Sequence, residues 1–388
     1  MSNNSMPAPV EQAAGNALDV LLHNLHGTCD GLPRTAGWGY PEPYTRDLLL
    51  CGLGALACGN EKLISSLRQV LETLGANQSS HGHIPSLVHD RHDRGASDTT
   101  PLFLLMAGLY ARFAQEPAFL SAAVEKALTW MEYQGPDDRV LVAQLPTSDW
   151  RDEQWIMGYS LFINAVYYAA LRAWGRYERA ESLASKMNRL TVKAGERQRH
   201  VHLGLMLLEK PYYAAWAYKI FSCERFDLLG NSMAILAGIP GPQRAREIIS
   251  WIEIECDSLR KRELLRLDLP PNFFPYIRPD EPEWRPRYEQ HNRPGEYHNG
   301  GVWPFICGLH LAAIVSTGRH ELAQRRLASL AAVTRLAVNK DLPFGFNEWL
   351  SALDGTPRGQ DWQSWSAALF IYAYECVKRR KALFFDDI

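Results

Sequence analysis

The chain has 388 residues, with 41 Lys and Arg against 43 Asp and Glu and a formal net charge of -2. A balance this close to neutral excludes a generalised polyanion-binding surface, so no nucleic-acid partner is expected. A hydrophobic fraction of 46% supplies a sizeable core and excludes wholesale disorder.

The N-terminus, MSNNSMPAPVEQAAGN, lacks the basic flank and apolar run of a secretory signal, and no apolar stretch approaches a membrane span. Residues 1–12 read as a flexible tail and 13–388 as a single domain. From there the apolar residues recur at spacings of three and four, and sustained period-two alternation is scarce. This spacing predicts helices over roughly 10–26, 46–59, 60–75, 99–115, 119–134, 154–175, 176–196, 213–222, 227–239, 241–263, 301–317, 319–339 and 362–380. The connector 264–300 carries too many prolines for a continuous helix. Helices rich in small and aromatic residues alternate with more charged ones such as EKLISSLRQVLETL and HELAQRRLASLAAV. An inner helix buried all round followed by an amphipathic outer one is what a closed ring of helical hairpins requires. The fold class expected is all-α, an (α/α)6 barrel. The alternative is an open helical-repeat array, which would spread its polar motifs along a face where a barrel collects them at one end.

The seven cysteines (Cys29, Cys51, Cys58, Cys223, Cys256, Cys307, Cys376) are odd in number, scattered and without a CxxC pair. They read as small buried hydrophobes rather than a zinc site or disulfide framework, and the expected compartment is cytoplasmic. The oligomeric state is left open, a homo-oligomer included.

Twelve Trp, sixteen Tyr and fourteen Phe are the informative deviation, many of them beside Gly, Pro, Asp or His: GWGYPEPY, SDWRDEQW, EYHNGGVWP, NEWL, QDWQSW. Rings in polar loops line recesses that stack on flat ligands, sugars included. YTRDLLL places Tyr44, Arg46 and Asp47 at a helix start. HGHIPSLVHDRHDRGASDTTPLF holds His81, His83, His89 and His92, but HxH followed by HxxH matches no tight zinc spacing and no metal is expected. Asp98, ahead of TTPLF, suits a helix N-cap and a functional role equally by type. TSDWRDEQWIMGYS concentrates Asp149, Asp152 and Glu153 around Trp150 and Trp155. Ring burial and like charges raise carboxyl pKa values, which keeps one acid protonated near neutral pH. A second cluster is Tyr297, His298, Asn299 and Trp303, followed by Glu348, Trp349, Gln363 and Trp365. One carboxylate from mid-chain and one from near its end could face each other, as two-carboxylate glycoside hydrolysis requires.

YHNGGVWP, followed about fifty residues later by NEW, DG and QSWSAA, resembles the signature of inverting (α/α)6-barrel glycoside hydrolases. That group includes the alkaline/neutral invertases and glucoamylase-, trehalase- and debranching-enzyme-like relatives. The motif order, with YTRDLLLCGLGAL, GASDTTPLFLLMAGLY, DWRDEQWIMGYSLFINAVYYAALR and FDLLGNSMAIL, is most similar to the alkaline/neutral invertases.

The resemblance implies single-step hydrolysis of an α-glycosidic bond in a small sugar such as sucrose or another α-glucoside, with inversion and no cofactor. It places the general base on Glu348 and the general acid within SDWRDE, on Asp152 with Asp149 close behind. Asp47, Asp98, His298, Asn299, Trp303 and Gln363 would line the sugar site, with Arg46 orienting the carboxylates. Tyr44, His83, Trp150, Trp155, Tyr297 and Trp365 complete the candidate substrate-binding set. The chain departs from the family where Glu153 follows Asp152 in place of Arg, where EIQ becomes Phe162, Ile163 and Asn164, and where DTTPLF loses two rings. Two other readings compete. One is a sugar epimerase or isomerase on the same barrel, with His83, His298 or His310 as bases; the other is a catalytically inactive carbohydrate-binding protein.

Overall fold

A computed structural model describes residues 6–136, 139–191 and 204–388. Six helices form an inner ring: α2 (Thr45–Cys58), α4 (Thr99–Ala114), α6 (Leu161–Ala173), α8 (Leu228–Leu236), α11 (Pro304–Ser316) and α13 (Ser364–Arg379). Each packs on the next, and α13 closes on α2. Closure excludes the open array. The outer layer is α1 (Ala8–Asn24), α3 (Glu61–Asn77), α5 (Ser121–Glu132), α7 (Tyr177–Met187), α9 (Pro242–Lys261) and α12 (His320–Thr334). The fold is the (α/α)6 barrel that the helix alternation predicts.

The two layers differ as their sequences do. Residues Pro304 to Val315 of α11 and all nine residues of α8 are buried, whereas α3 buries only the stripe Leu63, Leu67, Val70, Leu71 and Leu74. Ridge-and-groove packing within the ring needs small residues at its contacts. At Gly54 of α2 a Cβ would stand 2.3 Å from the Ala368 carbonyl oxygen of α13, so only glycine permits that approach. One apolar core runs from Met6 to Phe385.

Short strands decorate one end. β1 (Ala143–Gln144), β2 (Gly158–Ser160), β3 (Trp216–Tyr218) and β4 (Phe221–Cys223) form an antiparallel sheet in that order. β5 (Phe226–Asp227) pairs with β6 (Phe273–Phe274), and β7 (Trp349–Leu350) with β8 (Pro357–Arg358). A single turn, α10 (Tyr288–His291), interrupts the long connector.

Some expected boundaries shift. The helix expected over 213–222 is instead the β3–β4 hairpin. Trp216 and Tyr218 are half-buried on one face, Ala217 is buried on the other, and Lys219 turns the chain at φ +51°. The helix expected from 154 begins at Leu161, because 158–160 form β2 and pair with β1 and β3. α1 already starts at Ala8, within the segment expected as a tail. Residues 1–5 of that tail, and 192–196 of the helix expected over 176–196, lie outside the described residues. Among the described residues no helix is long and apolar enough to cross a membrane.

Candidate active site

The N-terminal ends of the inner helices converge at one end of the barrel. Each carries a partial positive charge of roughly half a unit, which favours carboxylates there. Asp47 lies in the first turn of α2, Asp98 at the N-cap of α4 and Asp227 at the N-cap of α8; Gln363 holds that position on α13 and Trp303 on α11. The polar-aromatic motifs therefore gather at one end.

Asp98 sits at an N-cap yet accepts no backbone N–H from its helix. Its Oδ2 instead receives Arg46 Nε at 2.5 Å, while Oδ1 is buried without a partner among the described residues. Burial pushes Asp47 up to about 7; the fields of Asp98 and Asp152 add to this and Arg46 opposes it. Glu348, 5% exposed, is also pushed up to about 7 by burial, with Asp47 and Asp152 contributing. Its Oε2 accepts the Gln360 amide at 3.1 Å, which opposes that rise. The β7–β8 hairpin thus holds Glu348 facing the α2 carboxylate and the 149–152 loop.

Asp152 and Asp149 are only three residues apart but play different parts. Asp149 is fully buried, and both its oxygens are taken by Arg151: the Arg151 amide donates to Oδ1 at 2.8 Å and Nη2 to Oδ2 at 2.7 Å. Arg151 also donates from Nη1 to Asp227 Oδ2 at 2.9 Å. Asp149, expected as an alternative acid, is therefore a structural anchor with no free oxygen to offer a ligand. Asp152 is solvent-accessible, and its carboxyl makes no hydrogen bond among the described residues. Crowding by surrounding protein raises its pKa, helped by Glu153, Asp149 and Asp98 and opposed by Arg46.

A cavity of about 520 Å³ opens at Glu348, lined also by Tyr40, Glu153, Gln290, His291, Tyr297 and Arg358. Burial and the fields of Glu348 and Asp152 raise the Tyr297 hydroxyl well above its ordinary range, and those of Tyr40 and Tyr44 are raised too. Tyr44 is edge-on to Tyr40 at 6.3 Å. Behind Tyr297 stands a ring cluster. His298 stacks between Tyr297 and Trp303 at 4.0 and 5.6 Å, and Trp150 meets His298, Trp303 and Phe305 edge-on. Trp365 stacks on Phe305 at 4.0 Å. Burial and the nearby Arg151 and Arg46 keep His298 neutral. Trp150 Nε1, Trp365 Nε1, His298 Nδ1 and Gln363 Oε1 are buried without a partner among the described residues. Unsatisfied buried polar atoms are costly unless ligand or water meets them, and none of these four residues is among those lining the cavity at Glu348.

Other expected residues are placed elsewhere. Asn299 spends its whole side chain on loop backbone, donating to Ile277 O and Asn292 O and accepting Ile277 N. It clamps the connector and does not line the cavity. Trp155 is 44% exposed beneath Arg285, outside the ring cluster. His83 stacks on Trp130 at 4.7 Å and lines a different cavity of about 1010 Å³ between the 79–97 and 130–148 loops. Among the described residues that line this larger space the one acidic side chain is Asp93, which is engaged by the Ser86 and Leu87 amides. His310 pairs with Ser232 at 3.1 Å inside the barrel. His83, His298 and His310 stand at separate places, so these three form no paired-histidine site.

The sequence reading missed Tyr40, Arg151 and Asp227. Tyr40 stands in GWGYPEPY, one of the polar-aromatic stretches, directly ahead of the YTRD motif. It missed Gly359 as well, at φ +69°, where a Cβ would stand 2.2 Å from Glu348 Oε2. Gly359→Ala is expected to displace that carboxylate and cut kcat more than about tenfold, with about 1 kcal/mol lost to the left-handed backbone. Steady-state kinetics beside thermal unfolding check it.

The sequence profile described as alkaline and neutral invertase matches residues 176–379, just over half of the chain. The chain belongs to the alkaline and neutral invertase family. The matched stretch takes in Asp227, Tyr297 to Trp303, Glu348 and Gln363, while Asp152 lies ahead of it. The chain is 30% identical over 154 residues to cytosolic invertase 1 of Oryza sativa subsp. japonica, covering 38% of this chain and 25% of that protein. It is also 30% identical to probable alkaline/neutral invertase D of Arabidopsis thaliana, covering 38% and 26%. The chain thus spans about a quarter of the length of the invertases it matches. Among solved structures it resembles a GH63 mannosylglycerate hydrolase from Thermus thermophilus (TM-score 0.64, 17% identity, 93% of this chain and 99% of that one). It also resembles a bacterial glucoamylase complexed with acarbose (TM-score 0.62, 15% identity, 98% and 58%). These likenesses concern the fold.

Proposed function

We propose that the chain is a glycoside hydrolase that cleaves the α-glycosidic bond of a small sugar with inversion. Asp152 gives its proton to the glycosidic oxygen as the C–O bond breaks. Glu348 takes a proton from the water that adds to the anomeric carbon from the opposite face. The observation that carries this reading is the meeting of Asp152 and Glu348, from loops far apart in sequence, at the helix N-termini of the barrel. Glu348 lies in the field of Asp152, Tyr40 lies in the fields of both, and both carboxyls are raised above the ordinary carboxylate range. The unpaired Asp152 carboxyl and the unpartnered polar atoms of Trp150 and Gln363 suit a hydroxyl-rich ligand. Nothing in the scheme calls on a metal or an organic cofactor. Family membership favours sucrose or another α-glucoside, and retention of both carboxylates favours an enzyme over an inactive binder. Seven unpaired cysteines support a reducing, cytoplasmic location.

The test is a panel of sucrose, trehalose, maltose, glucosylglycerate and mannosylglycerate, assayed for released hexose. Turnover of at least one, abolished by Glu348→Gln, is expected; binding without turnover across the panel would contradict the proposal.

The pH profile follows from the same site. Glu348 must be ionised to act, and burial has pushed it up to about 7. The kcat/KM value should therefore rise with pH with a midpoint near 7, a limb shared with the coupled Asp47. A rising limb centred below pH 5 would contradict the assignment.

A further inference from the structure

The Asp152 carboxyl has no hydrogen bond of its own among the described residues, so its position is set by its neighbours. Two of the three residues that follow it, Glu153 and Trp155, are tied to one short stretch of the connector, 285–292. The Glu153 carboxylate makes a two-pronged ion pair with Arg287 Nε and Nη2, the geometry that fixes a carboxylate most firmly. Its main-chain carbonyl accepts Asn292 Nδ2 at 2.6 Å. The Trp155 amide donates to the Tyr288 hydroxyl at 2.8 Å, and the Arg285 guanidinium lies over the Trp155 ring at 5.3 Å.

The same stretch reaches the far wall of the cavity. Asn292 Oδ1 accepts the His298 amide at 2.9 Å, and Gln290, His291 and Tyr297 share the cavity with Glu348. One piece of chain therefore grips the loop of Asp152 and forms the wall facing Glu348. We propose that Glu153 is a positioning residue, which holds Asp152 at its working distance from Glu348 through Arg287 and Asn292. The proposal rests on the reading of Asp152 as the acid.

Charge gives this role a signature. Asp152 feels the charges of Arg46, Glu153, Asp149 and Asp98, and its own field reaches Asp47, Glu348, Tyr40, Tyr44, Tyr297 and Arg287. The Glu153 anion disfavours ionisation of Asp152, and Arg287 partly neutralises it. Removing Glu153 should let Asp152 lose its proton at lower pH; removing Arg287 should have the opposite effect.

The experiment measures kcat/KM against pH for wild type, Glu153→Gln, Arg287→Gln and the exchanged pair Glu153→Arg with Arg287→Glu, on a glycoside that the wild type cleaves. A carbon-13 titration of the Asp152 carboxyl, assigned through Asp152→Asn, runs beside it. Both single variants should lose about tenfold in kcat with KM little changed, as a displaced catalytic group would. The alkaline limb should move down in Glu153→Gln and up in Arg287→Gln, and the exchanged pair should regain most of kcat with the lowest limb. Limbs and carboxyl titration unmoved in both single variants would overturn the proposal. Wild-type turnover by Asp152→Asn would instead overturn the acid assignment, and the carbon-13 titration would still decide what Glu153 does to Asp152.

Discussion

Glu348→Gln is expected to lower kcat by about 10³-fold or more while leaving the unfolding midpoint within a degree or two of wild type. General base catalysis contributes about 10²–10⁴-fold, and a neutral amide cannot accept the proton of the attacking water. Folding should survive, because the side chain keeps its shape and its oxygen can still accept the Gln360 amide. Removing a buried carboxyl whose pKa is raised by burial also relieves a cost at neutral pH. Slight stabilisation above pH 7 is therefore the direction to expect. Near-wild-type turnover by this variant would remove Glu348 from the mechanism.

The second large effect is on stability. Arg151 is fully buried and bridges Asp149 to Asp227 at 2.7 and 2.9 Å, which ties the loop that carries Asp152 to the start of α8. Arg151→Leu leaves both carboxylates buried without their cation, and breaking a buried pair in this way costs about 3–5 kcal/mol. The loss should depend on pH in a definite sense. Without the guanidinium, which opposes the rise, burial holds the Asp227 carboxyl still further above its unfolded pKa. Such groups add stability below the unfolded pKa and lose it as pH rises through the folded one. The variant's deficit should therefore be larger at pH 8 than at pH 5, as chemical denaturation at the two pH values would show. An equal deficit at both would mean that the bridge matters for packing and not for charge.

The ring of helices was legible because its two layers carry different sequences. EKLISSLRQVLETL shows one apolar stripe, as an outer helix must, while PFICGLHLAAIV is apolar all round, as an inner one must be. The stretch YYAAWAYKIF was not legible in the same way. A short apolar run fits a helix and a hairpin alike, and its pairing with β2 decides the matter. Glu348 and the acidic cluster stood out by their motifs, but the different surroundings of the acids inside that cluster did not. What separates Asp149 from Asp152 is Asp227, about seventy-five residues further on, and no local pattern announces that a buried arginine will join them. Asn299 misled for a related reason: an amide in a polar-aromatic motif suits a sugar or a backbone equally well. Here Ile277 and Asn292 claim it. Glu153, next to Asp152, finds its ion-pair partner only when Arg287 arrives from the connector.

The central claim is that Asp152 and Glu348 act in one step on opposite faces of the sugar, and the anomer formed first tests it most directly. Proton NMR of the cleavage of an α-glucoside, recorded faster than mutarotation, should show β-glucose appearing first and the α-anomer only later. First-formed α-glucose would mean retention, a covalent intermediate and a closer pair of carboxylates, and would contradict the account.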